Sequence, residues 1–329
     1  MTLDGISCLV TGAGGFIGSH LCEALVSEGA HVRALCRYSS TASIGNLALL
    51  PESVRAEIEV VFGNVRDAEQ MAEMMRGQAV VFHLASLIGI PYSYEAPRSY
   101  VETIMGGTLN VLEAARRLKT LRIVHVSTSE VYGSAQAVPM DERHPLHPQS
   151  PYAACKVAAD QLALSYHRSF GLPVVVLRPF NSYGPRQSPR AIVPSLVVQL
   201  LRGDDPILVG NTAPRRDLLY VTDTVRALIA AATHSEAIGQ TVHVGTGAAI
   251  SIGSLATVLV QMVRPGTRIE ARNERRRVEG SEVLELVCDP RYAEQVLGWR
   301  PLIGLTEGLE RTVAFLRSHP ERWTAGYAR

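Results

Sequence analysis

Thr11-Gly12-Ala13-Gly14-Gly15-Phe16-Ile17-Gly18-Ser19-His20 follows directly on a short apolar run that begins at Ser7. The glycines at 12, 15 and 18 fit GxxGxxG and not GxGxxG, because position 17 is Ile. Glycine is needed where a strand turns sharply into a helix, where backbone must approach a pyrophosphate, and where that helix packs closely on a sheet. A helix beginning here would also offer N–H groups and a partial positive charge to the phosphates. In a strand, turn and helix setting the segment reads as a dinucleotide-binding turn.

Working outward, β-rich runs at 7–11, 31–36, 58–62, 79–85, 122–128 and 173–179 alternate with helical stretches at 17–28, 68–76, 97–118 and 152–170. Several of the strands are apolar nearly throughout, as burial on both faces requires. The alternation predicts an α/β fold with a doubly wound parallel sheet of the Rossmann type. After Pro179, Gly and Pro recur and the elements shorten. Residues 1–178 are therefore expected to form a dinucleotide-binding domain, with returns of the chain near 217–246, and 179–329 a smaller C-terminal α/β substrate lobe. An amphipathic helix is predicted over 305–317.

The chain has 329 residues, 47% of them hydrophobic and 19% charged, which suits a soluble globular protein of two domains at roughly 150 residues each. Lys plus Arg number 32 against 31 Asp plus Glu, so there is no basic surplus to favour a nucleic-acid partner. No apolar run approaches the ~18 residues of a membrane span. The best candidate, 79–90, is broken by His83 and Ser86. The N-terminus lacks the basic and apolar regions of a secretory signal, and a cytoplasmic location is expected. Cys8, Cys22, Cys36, Cys155 and Cys288 are odd in number and form no CxxC pair, so reduced, buried thiols are expected. No metal is expected either, since His144 and His147 only flank Pro145 in a turn-like stretch.

An acidic residue at the end of the second strand would signal NAD by binding the ribose 2′-OH. Cys36 stands there, followed by Arg37, Tyr38, Ser39 and Ser40. Arginine among hydroxyls suits a 2′-phosphate, so of NAD and NADP the local chemistry favours NADP. Arg37 could equally stack on adenine or face solvent. Asn64 could bind the adenine edge or form an Asx turn into the next helix. Tyr152 and Lys156 are four apart on a predicted helix and so share a face. An adjacent cation favours the ionised form of a tyrosine that otherwise titrates near pH ~10, which makes Tyr152 a candidate base towards a hydroxyl.

With these motifs in place the chain resembles the extended short-chain dehydrogenase/reductase family, specifically its nucleotide-sugar epimerases and dehydratases. The resemblance rests on the glycine turn, residues 82–86, 127–133, the Tyr152/Lys156 pair, 178–185, Arg216-Asp217 and Gly245-Thr246-Gly247. It implies that Thr128 hydrogen-bonds the sugar O4, Tyr152 removes the O4 proton and Lys156 holds the cofactor ribose. A cofactor cleft is implied along Gly12, Gly15, Phe16, Ile17 and Gly18, past Arg37, Asn64 and Val65, to Leu84, Ala85, Ser86 and Pro179. It further implies that Asn181, Arg186, Val193, Arg216 and Arg277 contact the substrate, the arginines gripping its diphosphate, for which their bidentate donors are well suited. A nucleotide-diphosphate sugar would then be the substrate, and helix pairing between two copies implies a homodimer.

Glu130 narrows the chemistry. An epimerase needs only transient oxidation at C4, whereas a 4,6-dehydratase also needs a carboxylate to remove the acidified C5 proton while the C6 hydroxyl leaves. Thr128-Ser129-Glu130 resembles the order in GDP-mannose 4,6-dehydratases and in the hexosamine dehydratases of legionaminic-acid-type pathways. It departs from dTDP-glucose 4,6-dehydratases, where Asp replaces Ser129 as the acid for the leaving hydroxyl. Either Glu130 or Ser129 could deliver that proton here. The expected activity is an NDP-hexose or NDP-N-acetylhexosamine 4,6-dehydratase giving a 4-keto-6-deoxy sugar. The alternatives are a 4-epimerase, a UDP-glucuronate decarboxylase, or a non-catalytic NAD(P)H sensor or scaffold.

Overall fold

The computed structural model describes residues 1–272 and 282–324. Its strands are β1 (Ser7–Thr11), β2 (His31–Arg37), β3 (Ile58–Gly63), β4 (Val80–His83), β5 (Arg122–Val126), β6 (Val174–Pro179) and β7 (Asn181–Tyr183). They continue with β8 (Ile207–Val209), β9 (Arg215–Tyr220), β10 (Thr241–Val244), β11 (Ala249–Ser251), β12 (Ile269–Ala271) and β13 (Glu285–Leu286). Seven of them form an all-parallel sheet in the order β3-β2-β1-β4-β5-β6-β10. Every residue of β4, β5 and β6 is buried, so these runs are mostly apolar because helices cover both faces, and the buried His83, His125 and Arg178 among them are hydrogen-bonded or charge-paired. Strand order reverses between β1 and β4, and a crevice opens at such a switch point beyond the carboxyl ends of the strands.

On one face, helix Phe16–Ser27 packs with helix Val221–Thr233 through Leu21, Cys22, Leu25, Val225 and Leu228. On the other, helices Ala68–Met75, Gly107–Leu118 and Pro151–Phe170 bury Met71, Val111, Leu112, Ala163 and Leu164. The expected return to the sheet is made by helix Val221–Thr233 and by β10, which pairs with β6; Arg215–Tyr220 belongs instead to a small sheet with β7, β11 and β13. Helices Ile192–Arg202, Ile252–Val263 and Leu305–Ser318 surround a second core of Leu196, Val197, Leu218, Leu255, Leu259 and Leu309. Between them the chain re-enters the large core: Trp299 is buried there and donates to the Asp223 carbonyl at 3.0 Å, while Asp223 Oδ2 accepts from Leu302 N and Ile303 N at 2.9 Å each.

Three elements differ from expectation. The helix predicted over 97–118 is interrupted: Pro97–Tyr100 passes through a π turn, Val101–Gly106, into Gly107–Leu118. Wider turns of this kind occur at functional sites, and this one brings Gly107 so close to Val65 that a Cβ would lie 2.9 Å from Val65 Cγ2. The strand predicted to run to 85 ends at His83 because Leu84 N and Ala85 N both donate to Thr11 Oγ1, at 3.1 Å each. Similarly, β5 ends at Val126, beyond which the Ser127 hydroxyl turns inward to Asp160. The five cysteines are free and buried. Among the described residues no helix is long and apolar enough to cross a membrane.

Candidate active site

The crevice at the switch point is a cleft of about 900 Å³. Its floor begins at Gly12, whose φ of 71° lies in the left-handed region and whose Cβ would stand 3.0 Å from the backbone of Ala85. Gly18 admits no side chain because its Cβ would collide with the Gly12 carbonyl oxygen. No side chain caps helix Phe16–Ser27 at Gly15, and its first turn carries no acidic residue, so a phosphate meets an uncapped positive helix end. Since Thr11 Oγ1 already accepts two backbone N–H groups, its own proton goes to His83 Nδ1 at 2.9 Å. His83 Nε2 then faces Thr108 Oγ1 at 3.2 Å. This buried chain fixes Leu84, Ala85 and Ser86 along the cleft. A dinucleotide therefore fits the donor set and the glycine-lined cradle.

Every residue expected to contact the cofactor lines this one cleft: Gly12, Gly15, Phe16, Ile17, Gly18, Arg37, Asn64, Val65, Leu84, Ala85, Ser86, Pro179, Tyr152 and Lys156. Asn64 does so while its Oδ1 accepts from Arg66 N at 3.1 Å, which is the Asx turn. Ser39, Ser43 and Arg66 join Arg37 at this end. Arg66 donates to Glu102 at 2.9 Å.

The opposite wall carries the reactive groups. Ser150 Oγ accepts from Ala153 N at 3.1 Å and Pro151 occupies the first helical position, which starts helix Pro151–Phe170 where Tyr152 faces the cleft. Thr128 Oγ1 accepts from Glu130 N at 3.2 Å and begins a 3₁₀ turn, Ser129–Tyr132, that places Ser129 and Glu130 on the same wall. Lys156 Nζ donates to the Val126 carbonyl at 2.9 Å. Burial lowers the Lys156 ammonium to about 8, opposed by Asp160.

Tyr152 corrects the expectation drawn from spacing. Burial raises its phenol above the ordinary range, a hydrogen bond with Thr128 pulls it down, and Glu130 raises it further. The polar partner of the phenol is thus Thr128, and the Lys156 ammonium is engaged at Val126. Tyr100 packs edge-on against Tyr152 at 6.3 Å, and its hydroxyl donates to the Gly89 carbonyl at 2.5 Å.

The expected substrate contacts separate. Asn181 lines the cleft, with Ser182 and Gln187 beside it. Arg186 does not line it: its guanidinium pairs with Glu23 of helix Phe16–Ser27 at 2.6 Å, and its carbonyl accepts from Asn46 Nδ2 at 2.9 Å. Val193 is buried in the small-lobe core. Arg216 is 7% exposed, donates to the Arg215 carbonyl at 3.0 Å and lies 3.9 Å from Glu282, also away from the cleft lining. Arg277 lies outside the described residues. His144 accepts from Gln136 N at 2.9 Å, a structural role. Residues not anticipated also reach the cleft: Ile88 from the loop after β4, Tyr92 from a short helix, Ile90–Glu95, and Ser99 and Thr103 from the interrupted helix. Thr103 lies within the π turn and Ser99 in the helical turn that precedes it.

A Rossmann sheet whose switch-point cleft faces a Tyr/Lys pair on the neighbouring helix defines a short-chain dehydrogenase/reductase. The family model for GDP-mannose 4,6-dehydratase matches residues 9–312. A dTDP-glucose 4,6-dehydratase of Actinoplanes sp. is 35% identical over 322 residues, 96% of this chain and 99% of that protein. A putative UDP-glucose 4-epimerase of Methanocaldococcus jannaschii is 32% identical over 94% of this chain and 98% of its own length. Among solved structures, dTDP-glucose 4,6-dehydratase from Streptomyces venezuelae with NAD bound superposes with a TM-score of 0.86 at 32% identity, covering 97% of this chain and 99% of that one. The chain belongs to the extended short-chain dehydrogenase/reductase family of NAD-dependent nucleotide-sugar dehydratases and epimerases.

Proposed function

We propose that the protein is a 4,6-dehydratase that converts an NDP-hexose or NDP-N-acetylhexosamine to its 4-keto-6-deoxy derivative. The observation that carries this reading is Glu130: a carboxylate on the reactive wall, two residues from Thr128 and close enough to act on the Tyr152 phenol. C4 oxidation and return alone have no use for it.

In the proposed mechanism Thr128 hydrogen-bonds the sugar O4 and Tyr152 accepts the O4 proton as its phenolate, an ionisation that the positive charge of a bound oxidised nicotinamide would favour. Lys156, anchored at Val126, turns its remaining N–H groups to the cofactor ribose. When bound, the nicotinamide supplies a reversible hydride acceptor. Glu130 removes the C5 proton once C4 is a ketone, Glu130 or Ser129 protonates the departing C6 hydroxyl, and the 5,6-double bond left behind would take back the hydride at C6 and the remaining proton at C5, so that the cofactor is regenerated. Burial of the wall excludes bulk water from the keto sugar.

For the cofactor we propose NADP. Cys36 occupies the place of the ribose-binding carboxylate, and Arg37, Ser39 and Ser43 line the same cleft, a cation among hydroxyls that suits a 2′-phosphate. We also propose a homodimer, supported by Val101 and Leu109, which stay 45% and 39% exposed on the interrupted helix.

Incubation with GDP-, UDP- and dTDP-hexoses, followed by mass spectrometry, tests the activity. Loss of one water with no net consumption of cofactor is expected. An unchanged mass with inverted C4 would establish the epimerase, the reading that the archaeal relative favours. Loss of carbon dioxide from a glucuronate would establish the decarboxylase, and no product across the panel would favour a binding protein.

A further inference from the structure

Tyr152, Lys156 and Asp160 recur every four residues on one face of helix Pro151–Phe170, and all three are buried. The reaction uses the first two. Asp160 has no accessible surface, and its Oδ2 is held by three donors, Ser127 Oγ at 2.8 Å and Arg178 Nε and Nη2 at 2.9 and 2.8 Å, while the His125 ring approaches Oδ1 at 3.2 Å. Ser127 follows β5 and Arg178 belongs to β6, so one carboxylate ties the helix to two strands. Ser127 lies between Val126, whose carbonyl accepts from Lys156, and Thr128, the partner of Tyr152. Behind this clamp, Arg178 Nη1 donates to the Tyr132 hydroxyl at 2.5 Å, and that hydroxyl pairs with His243.

We propose that Asp160 is a positioning residue: it holds Thr128 against the catalytic helix through Ser127, and it supplies the negative charge that keeps the buried Lys156 protonated. A buried ammonium is costly unless an anion stands near it. His83 and His125 face Lys156 from β4 and β5, and burial lowers both, leaving them neutral. Arg178 brings a second cation from β6, Tyr152 is a neutral phenol on the same helix, and Asp160 is the anion that acts on Lys156.

The sequence provides a direct probe, because it contains only two lysines, exposed Lys119 and buried Lys156. In protein labelled with [ε-13C]lysine, the Lys156 resonance of Asp160→Asn should titrate about one pH unit or more below that of wild type. Lys119 should not move. Ser127→Ala keeps the charge, so its Lys156 midpoint should match wild type while kcat for C4 oxidation falls about tenfold at unchanged KM. Coincident Lys156 midpoints in wild type and Asp160→Asn overturn the proposal, and so does a wild-type kcat in Ser127→Ala. If Asp160→Asn does not fold, Ser127→Ala decides alone. The titration needs neither substrate nor cofactor, so its failure is distinguishable from failure of the dehydratase reading, which the product masses decide.

Discussion

On the glycine floor and the reactive wall of the cleft, the working residues are close neighbours in the chain: three glycines within seven positions, Thr128 and Glu130 two apart, Tyr152 and Lys156 one helical turn apart. On the substrate side, Arg186 meets its carboxylate, Glu23, across 163 positions. The first side depends on spacing within single elements, which sets the geometry as soon as a strand or helix forms. The second depends on which long side chains find a partner when distant segments pack, and an arginine beside Asn181 is as able to brace the fold as to hold a phosphate.

The sharpest way to break that comparison is at the reactive wall. Tyr152→Phe should lower kcat by about 10⁴ and Glu130→Gln by about 10³, the range of general acid–base contributions. The two should differ in kind: Glu130→Gln should still oxidise C4, seen as reduced cofactor at its absorbance band, and Tyr152→Phe should not. Full turnover by Glu130→Gln would remove its assigned role. Next in size, Gly12→Ala forces a side chain into the left-handed region against Ala85, a strain of ~3 kcal/mol or about 100-fold in cofactor affinity. Titration of the bound nucleotide by fluorescence checks it.

Arg186→Met probes the other side. Loss of its partly buried pair with Glu23 should cost about 2 kcal/mol in denaturant unfolding while leaving KM for the sugar nucleotide within about twofold of wild type. A KM raised tenfold at unaltered stability would restore Arg186 to the diphosphate. The smallest effect is expected at Arg37, which is exposed. Arg37→Ala should weaken NADP by about fivefold, ~1 kcal/mol, and leave NAD unchanged. Equal loss for both nucleotides would assign Arg37 to adenine stacking.

Much of the fold was legible because its signals are short-range. Apolar runs such as that around Val80, Val81 and Phe82 announced buried parallel strands, and the turn at Gly12 announced where the crevice lies. Strand ends were less legible, since β4 stops at His83 only because Thr11, 72 positions away, takes the next two N–H groups. The π turn within the helix expected through 97–118 was less legible: the pair Gly106-Gly107 marks a weak point in the helix but does not specify a widened turn. The surroundings of the Tyr152 phenol were less legible for a related reason: spacing places Lys156 on its face but does not say that Val126 accepts one hydrogen bond from the ammonium.

The position of Trp299 bears on how the protein is made. Its indole, with the Asp223 contacts just after it, completes the core that surrounds β1. That residue joins the growing chain 288 positions after the end of β1 at Thr11, at roughly 5–20 residues per second. The core around β1 therefore stays incomplete until Trp299 is made, and nascent chains arrested before it should remain open to protease in β1 to β4.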